Sequence, residues 1–129
     1  MERLLKRILL VEDEPDIRLV ASMALETVGG FEVIACESGD RALEQAPAAC
    51  ADLILLDVMM PGMDGPATLR QLRSIPQTAA TPVAFLTAKV QPHEIEQLKR
   101  LGAIDIITKP FDPMTLADQV RELWRRQVP

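Results

Sequence analysis

The sequence predicts an α/β fold: a five-stranded parallel sheet in the order 2-1-3-4-5, doubly wound with helices on both faces. Short aliphatic runs recur along the 129 residues, each followed by a stretch whose apolar residues have helical spacing. The central run, Leu53-Ile54-Leu55-Leu56, has no polar residue to turn toward solvent, the mark of a strand buried on both faces. With 48% hydrophobic but only 3% aromatic residues, the core must be aliphatic, which suits helices packed on parallel strands. Right-handed crossovers put helices on both faces, and 2-1-3-4-5 is a common strand order for such a sheet.

Ile8-Leu9-Leu10-Val11 reads as the first strand, stopping at the acidic loop Glu12-Asp13-Glu14, and Pro15 suits the first turn of the helix that follows. Ile17, Val20, Ala21, Ala24, Leu25 and Val28 form one predicted apolar stripe, closed by Gly29-Gly30. Phe31 to Cys36 is the second strand. Ser38 or Asp40 then caps a short helix carrying Ala42, Leu43 and Ala46, which Pro47 is expected to end. After the central strand and its Pro61-Gly62 turn, Leu69 and Leu72 mark a third helix that Pro76 terminates. Thr81 to Thr87 is the fourth strand, with its proline at the entry. Pro92 opens a helix with Ile95, Leu98 and Leu101 on one face and Gly102 as its C-terminal cap. Ala103 to Thr108 is the fifth strand. The last helix has Asp112 as cap, Pro113 in its first turn, and Met114, Ala117, Val120 and Trp124 on its apolar face. Residues 1–129 read as one domain, with 125–129 a tail or the start of a linker.

A formal charge of -5, from 14 basic and 19 acidic residues, argues against attachment to nucleic acid or an anionic membrane through this domain. Cys36 and Cys50 match no zinc-ligand spacing and are too few for a disulfide framework, so a reducing compartment is expected. The first ten residues carry four charges around a short apolar run, unlike a signal peptide or a membrane span. A soluble, cytoplasmic protein is the expectation.

Four of the five strands end in a side chain with chemical use: Glu12-Asp13, Asp57, Thr87 and Lys109. A parallel sheet brings them to its carboxyl edge, where ligands bind in open α/β folds. Three carboxylates there repel one another, and a hard divalent cation such as Mg2+ relieves that repulsion. An aspartate can form an acyl phosphate. Phosphoryl transfer then needs charge stabilisation, which Thr87 as a hydroxyl and Lys109 as an ammonium can supply.

On these residues the chain resembles the response-regulator receiver domain of bacterial two-component signalling. The resemblance runs from Lys6 to Trp124, and its specific parts are Val11-Glu12-Asp13-Glu14, the stretch Leu55 to Gly65, Leu86-Thr87-Ala88 and Lys109-Pro110-Phe111. It implies the flavodoxin-like doubly wound fold. It implies Asp57 as phosphoacceptor, and Mg2+ held by Glu12, Asp13, Asp57 and the backbone carbonyl of Met59. Thr87 becomes the switch hydroxyl, Lys109 the cation that pairs with the phosphoryl group, and the Lys109–Pro110 bond cis. Partners implied are a histidine kinase or phosphotransfer protein and an output, either attached or separate, with homodimerisation through the fourth helix, fifth strand and fifth helix. The chain is either a stand-alone receiver or one cut from a longer regulator, and not an enzyme beyond catalysing its own phosphorylation and dephosphorylation. One departure stands out: Ile106 occupies a position where the family often has Tyr or Phe, so the switch is expected to be weaker or altered.

Rival readings have less to rest on. A phosphatase with an aspartyl nucleophile carries Asp-x-Asp after its first strand, whereas here Asp57 is followed by Val58-Met59. A flavin mononucleotide binder needs a phosphate loop where Glu12-Asp13-Glu14 would repel the ligand. A phosphorylation-independent interaction module is the remaining alternative, which the intact acids, Thr87 and Lys109 argue against. His93 and Arg125-Arg126 read as surface charges, Met59, Met60 and Met63 as loop and gap-filling residues, and Trp124 as a cover for the edge of the core.

Overall fold

A computed structural model describes residues 4–88 and 91–127. Five parallel strands, β1 (Arg7–Val11), β2 (Glu32–Cys36), β3 (Leu53–Asp57), β4 (Val83–Thr87) and β5 (Asp105–Thr108), form one sheet in the order β2-β1-β3-β4-β5. The expected fold class and strand order are therefore observed. β3 begins at Leu53 as its aliphatic run suggested, whereas β2, β4 and β5 begin one or two residues later than theirs; at β4 the entry holds Pro82, which cannot donate to the ladder.

Alternation along the strands divides the core in two. Ile8, Leu10, Leu53, Leu55, Ala84, Leu86 and Ile107 face one layer of helices, α1 (Pro15–Met23) and α5 (Leu116–Gln127). Leu9, Val11, Ile54, Leu56, Val83 and Phe85 face the other, α2 (Gly39–Ala49), α3 (Gly65–Arg73) and α4 (Pro92–Arg100). Each Leu or Ile buried this way contributes about 1.5–3 kcal/mol relative to exposure. All five residues of β3 are buried, as its unbroken apolar run requires.

Several local expectations are corrected. α1 passes into a π-helical turn, Ala24–Val28, in which the Gly29 amide reaches back five residues to the Ala24 carbonyl. The wider turn rotates Val28 off the buried face, and Val20 borders an open groove beside Pro110 and Phe111; both are exposed, while Ala21, Ala24 and Leu25 are buried. Pro47 does not end α2, which runs on to Ala49: only the hydrogen bond that a proline lacks is lost, and Ala46 and Ala49 stay packed on the core side. Ser38, not Asp40, is the cap, its hydroxyl accepting from the Arg41 amide at 3.1 Å.

α3 stops at Arg73, before Pro76, because its last carbonyls are closed by tighter bonds from Ser74 and Ile75. The Arg73 guanidinium then bonds the carbonyls of Thr78 and Thr81 at 3.1 and 2.7 Å, fixing the loop that delivers β4. α4 has no fully buried residue, and Leu101 is 41% exposed, so its predicted apolar face only skims the core.

The last helix begins at Leu116, later than its sequence pattern suggests. The Asp112 side chain accepts from the Met114 amide at 2.8 Å and its carbonyl from the amides of Thr115 and Leu116, so Pro113 to Thr115 form a turn. Met114 is consequently exposed, and Leu116 and Leu123 join Ala117, Val120 and Trp124 against the sheet. Residues 125–127, expected in a tail, belong to α5, while the last two lie outside the described residues. No helix among the described residues is long and apolar enough to cross a membrane.

Candidate functional site

The carboxyl ends of β1 and β3 lie side by side, Val11 paired with Leu56, so the residues that follow them converge. Glu12 is fully buried; its amide donates to the Cys36 carbonyl at 3.0 Å, tying the start of the acidic loop to β2. Its carboxylate is held at both oxygens. Oε2 accepts from the Glu14 amide at 3.1 Å, and Oε1 accepts from Lys109 Nζ at 2.7 Å. Asp57, 2% exposed at the end of β3, lies 3.2 Å through Oδ1 from the same Nζ and accepts from the Met59 amide at 3.4 Å.

Carboxylate oxygens of Glu12, Asp13 and Asp57 lie within 4.8 Å of one another. Burial pushes the Asp57 carboxyl up to about 7, helped by a hydrogen bond with Asp13 and by the charge of Glu12, while Lys109 pulls the other way. Burial works against the Lys109 charge, but hydrogen bonds and attraction from Glu12 and Asp57 outweigh it and raise its pKa. The cluster is therefore short of positive charge even with Lys109 in place. Three carboxylates with no nitrogen or sulfur donor make a set that fits a hard cation such as Mg2+ and would not favour a softer metal.

Thr87 ends β4, one residue beyond Leu86, the β4 partner of Asp57, and is buried. It lines a cavity of about 300 Å³ with Val58, Met59, Pro66, Glu94 and Leu98, between β4 and the shallow helix α4. Its carbonyl accepts from the Lys109 amide at 2.9 Å, which couples the ends of β4 and β5. The Lys109–Pro110 peptide is cis, as the family resemblance implied. Ile106 pairs with Phe85 across β4 and β5 and is half-buried against the α2–α4 side of the core. Glu12, Asp13, Asp57, Thr87 and Lys109 thus stand at one sheet edge, whereas Ile106 lies inside β5, away from it. The Met59 side chain is exposed, and only its backbone takes part.

Sequence reasoning missed Arg18. From the first turns of α1 it donates through Nη1 to the carbonyls of Glu12 at 2.9 Å and Asp13 at 3.4 Å. A basic residue so close to a helix N-terminus opposes the macrodipole, and that conflict was the available signal.

The chain is similar to known proteins in family, sequence and structure. A family model described as the response regulator receiver domain matches residues 8–121. The chain is 39% identical over 121 residues to the alkaline phosphatase synthesis transcriptional regulatory protein PhoP of Bacillus subtilis, covering 94% of this chain and 49% of that protein. It is 38% identical over 124 residues to the phosphate regulon transcriptional regulatory protein PhoB of Escherichia coli, covering 96% of this chain and 54% of that one. The chain thus spans about half the length of these curated relatives. Among solved structures, the chemotaxis protein CheY4 of Vibrio cholerae superposes with a TM-score of 0.85 at 32% identity, covering 93% of this chain and 99% of that one. With its strand order, its acidic cluster and a family match that takes in every side chain of the site, the chain belongs to the response regulator receiver domain family.

Proposed function

We propose that Asp57 accepts a phosphoryl group from the phosphohistidine of a histidine kinase or phosphotransfer protein. A carboxylate oxygen of Asp57 attacks phosphorus in line, the bond from phosphorus to the donor imidazole breaks as the new O–P bond forms, and solvent returns a proton to the imidazole. The observation that carries this reading is the Lys109 ammonium lying 2.7 Å from Glu12 and 3.2 Å from Asp57. A cation held in that position stabilises the phosphoryl oxygens as their charge grows. The Thr87 hydroxyl, at the neighbouring strand end, is the donor that turns toward the phosphorylated Asp57.

Glu12, Asp13, Asp57 and the Met59 backbone carbonyl would hold Mg2+. When bound, that ion neutralises both the crowded carboxylates and the incoming phosphoryl oxygens. The protein acts on no separate substrate beyond its donor, and hydrolysis of the acyl phosphate resets it. Phosphorylation biases a pre-existing equilibrium at the surface formed by α4, β5 and α5, which meets an attached or separate output and supports homodimerisation. Relatives that are transcriptional regulators of about twice this length favour an attached output. A cytoplasmic location follows from the same reading.

The test is intact mass after incubation with Mg2+ and a small acyl-phosphate donor. One phosphoryl adduct is expected on the wild type, absent from Asp57→Asn and from a sample with chelator. Absence of any adduct at short times would favour a module that binds its partner unmodified.

A further inference from the structure

The acidic loop is held from behind by a residue with no place in the chemistry above. Arg18 is the fourth residue of α1, where a positive charge faces the positive end of the helix macrodipole. Glu14, the N-cap residue, makes no side-chain cap hydrogen bond there. A charge in that unfavourable place must be offset by something nearby, and two backbone carbonyls of the acidic loop do so. The half-buried guanidinium donates through one nitrogen to the successive carbonyls of Glu12, at 2.9 Å, and Asp13, at 3.4 Å.

Successive carbonyls in an extended strand point to opposite sides, so two on one donor mark the place where the chain turns out of β1. With the carbonyls drawn toward α1, the Glu12 carboxylate is left to face Lys109 and to accept from the Glu14 amide at 3.1 Å. We infer that Arg18 is a positioning residue for the acidic pair: it fixes the backbone of Glu12 and Asp13 so that both carboxylates meet Asp57. This rests on the reading of Glu12 and Asp13 as Mg2+ holders. Arg18 stands to them as an outer partner stands to metal ligands, setting their orientation without touching the ion.

The Glu14 amide reports the placement of Glu12 without any metal, because its hydrogen bond ends on the Glu12 carboxylate. Amide hydrogen exchange and calorimetric titration with magnesium chloride would be run on unphosphorylated wild type, Arg18→Ala and Arg18→Lys. In Arg18→Ala, exchange at Glu14 should quicken about tenfold while β3 amides keep their protection. Mg2+ binding should weaken about tenfold. Arg18→Lys, which keeps the charge but not the planar group, should recover part of both. Unchanged Glu14 exchange in Arg18→Ala, or an equal loss across the whole sheet, would overturn the inference. Failure of the wild type to bind magnesium would instead remove the metal reading, and Glu14 exchange would still decide the role of Arg18.

Discussion

Lys109 Nζ sits closer to Glu12, at 2.7 Å, than to Asp57, at 3.2 Å. The ammonium is thus anchored on an acid other than the proposed phosphoacceptor. Replacing it leaves two buried carboxylates without their counter-charge. Lys109→Met should lose about 3 kcal/mol of stability near pH 8, measured by urea unfolding in metal-free buffer. Added Mg2+ should restore more stability to this variant than to the wild type, since the ion then supplies the only local positive charge. Equal gains in the two proteins would contradict the shared-site arrangement.

Asp57 makes stability depend on pH in a direction unusual for a carboxylate. Its folded pKa, about 7, lies above the ordinary 3.8. Its contribution is therefore fully present below the unfolded pKa and is lost as pH rises through the folded one. Asp57→Asn cannot ionise and should lack this slope. In chelator, its Tm should exceed that of the wild type by on the order of 5 °C at about pH 8, with a smaller gap near pH 5. A gap that stays constant across this range would refute the assignment of the slope to Asp57.

Two glycines near the site separate crowding from backbone strain. A Cβ on Gly65 would lie 2.4 Å from the Asp57 carbonyl oxygen and 2.9 Å from Val58 Cα, so Gly65→Ala must displace the backbone at Asp57. Phosphoryl uptake from a small donor should slow by on the order of tenfold or more. Gly62, with φ of +77° and nothing within 4 Å of such an atom, is the control. Gly62→Ala should cost about 1–2 kcal/mol of stability through its left-handed backbone and leave uptake within about twofold. Intact-mass time courses on both variants make the comparison.

Ile106 lies in β5 beside Phe85, with no direct part in the site. Ile106→Tyr should therefore leave phosphoryl uptake unchanged while altering affinity for the output partner proposed above, since the larger ring would emerge from β5 on the face that packs toward α4. A changed uptake rate in the same mass assay would count against this separation.

Cysteine reactivity tests the burial of β2. Burial pushes the Cys36 thiol up to about 11, whereas Cys50 is exposed at the end of α2. A brief exposure to iodoacetamide at neutral pH should add one group, on Cys50, and a second only after denaturation. Peptide mapping would locate the adducts, and early labelling of Cys36 would show that β2 opens readily.

The sheet and its edge were legible because period and punctuation carry them. An apolar run with no polar alternation, as at Leu53 to Leu56, has one stable setting, and parallel topology then places whatever follows each run. What was not legible depended on contacts between distant segments. The π-helical turn after Met23 leaves the apolar periodicity almost unchanged, yet it takes Val28 off the core. The Pro47 ring signals a stop that packing of Ala49 overrides, and Asp112 was read as a helix cap although it closes a turn before Leu116. Roles for Glu12 and Asp57 could be guessed from their strand ends, but the pairing of Lys109 with both, across 97 residues in the case of Glu12, could only be suggested. Arg18 went unread because a single cation in a helix looks like solvated surface until its two carbonyl partners are seen.

The shallow seating of α4 gives the molecule a mechanical grain. Asp57 ends a strand buried at every residue, as β4 beside it is, while α4, across β4 from it, buries none completely. Lifting α4 therefore breaks far less apolar contact than bending β3, and local opening should begin there. If phosphorylation of Asp57 acts on α4 as proposed, a bias of 1–3 kcal/mol, roughly the usual size of coupling between sites, would fall on the wall with the least buried contact to give up.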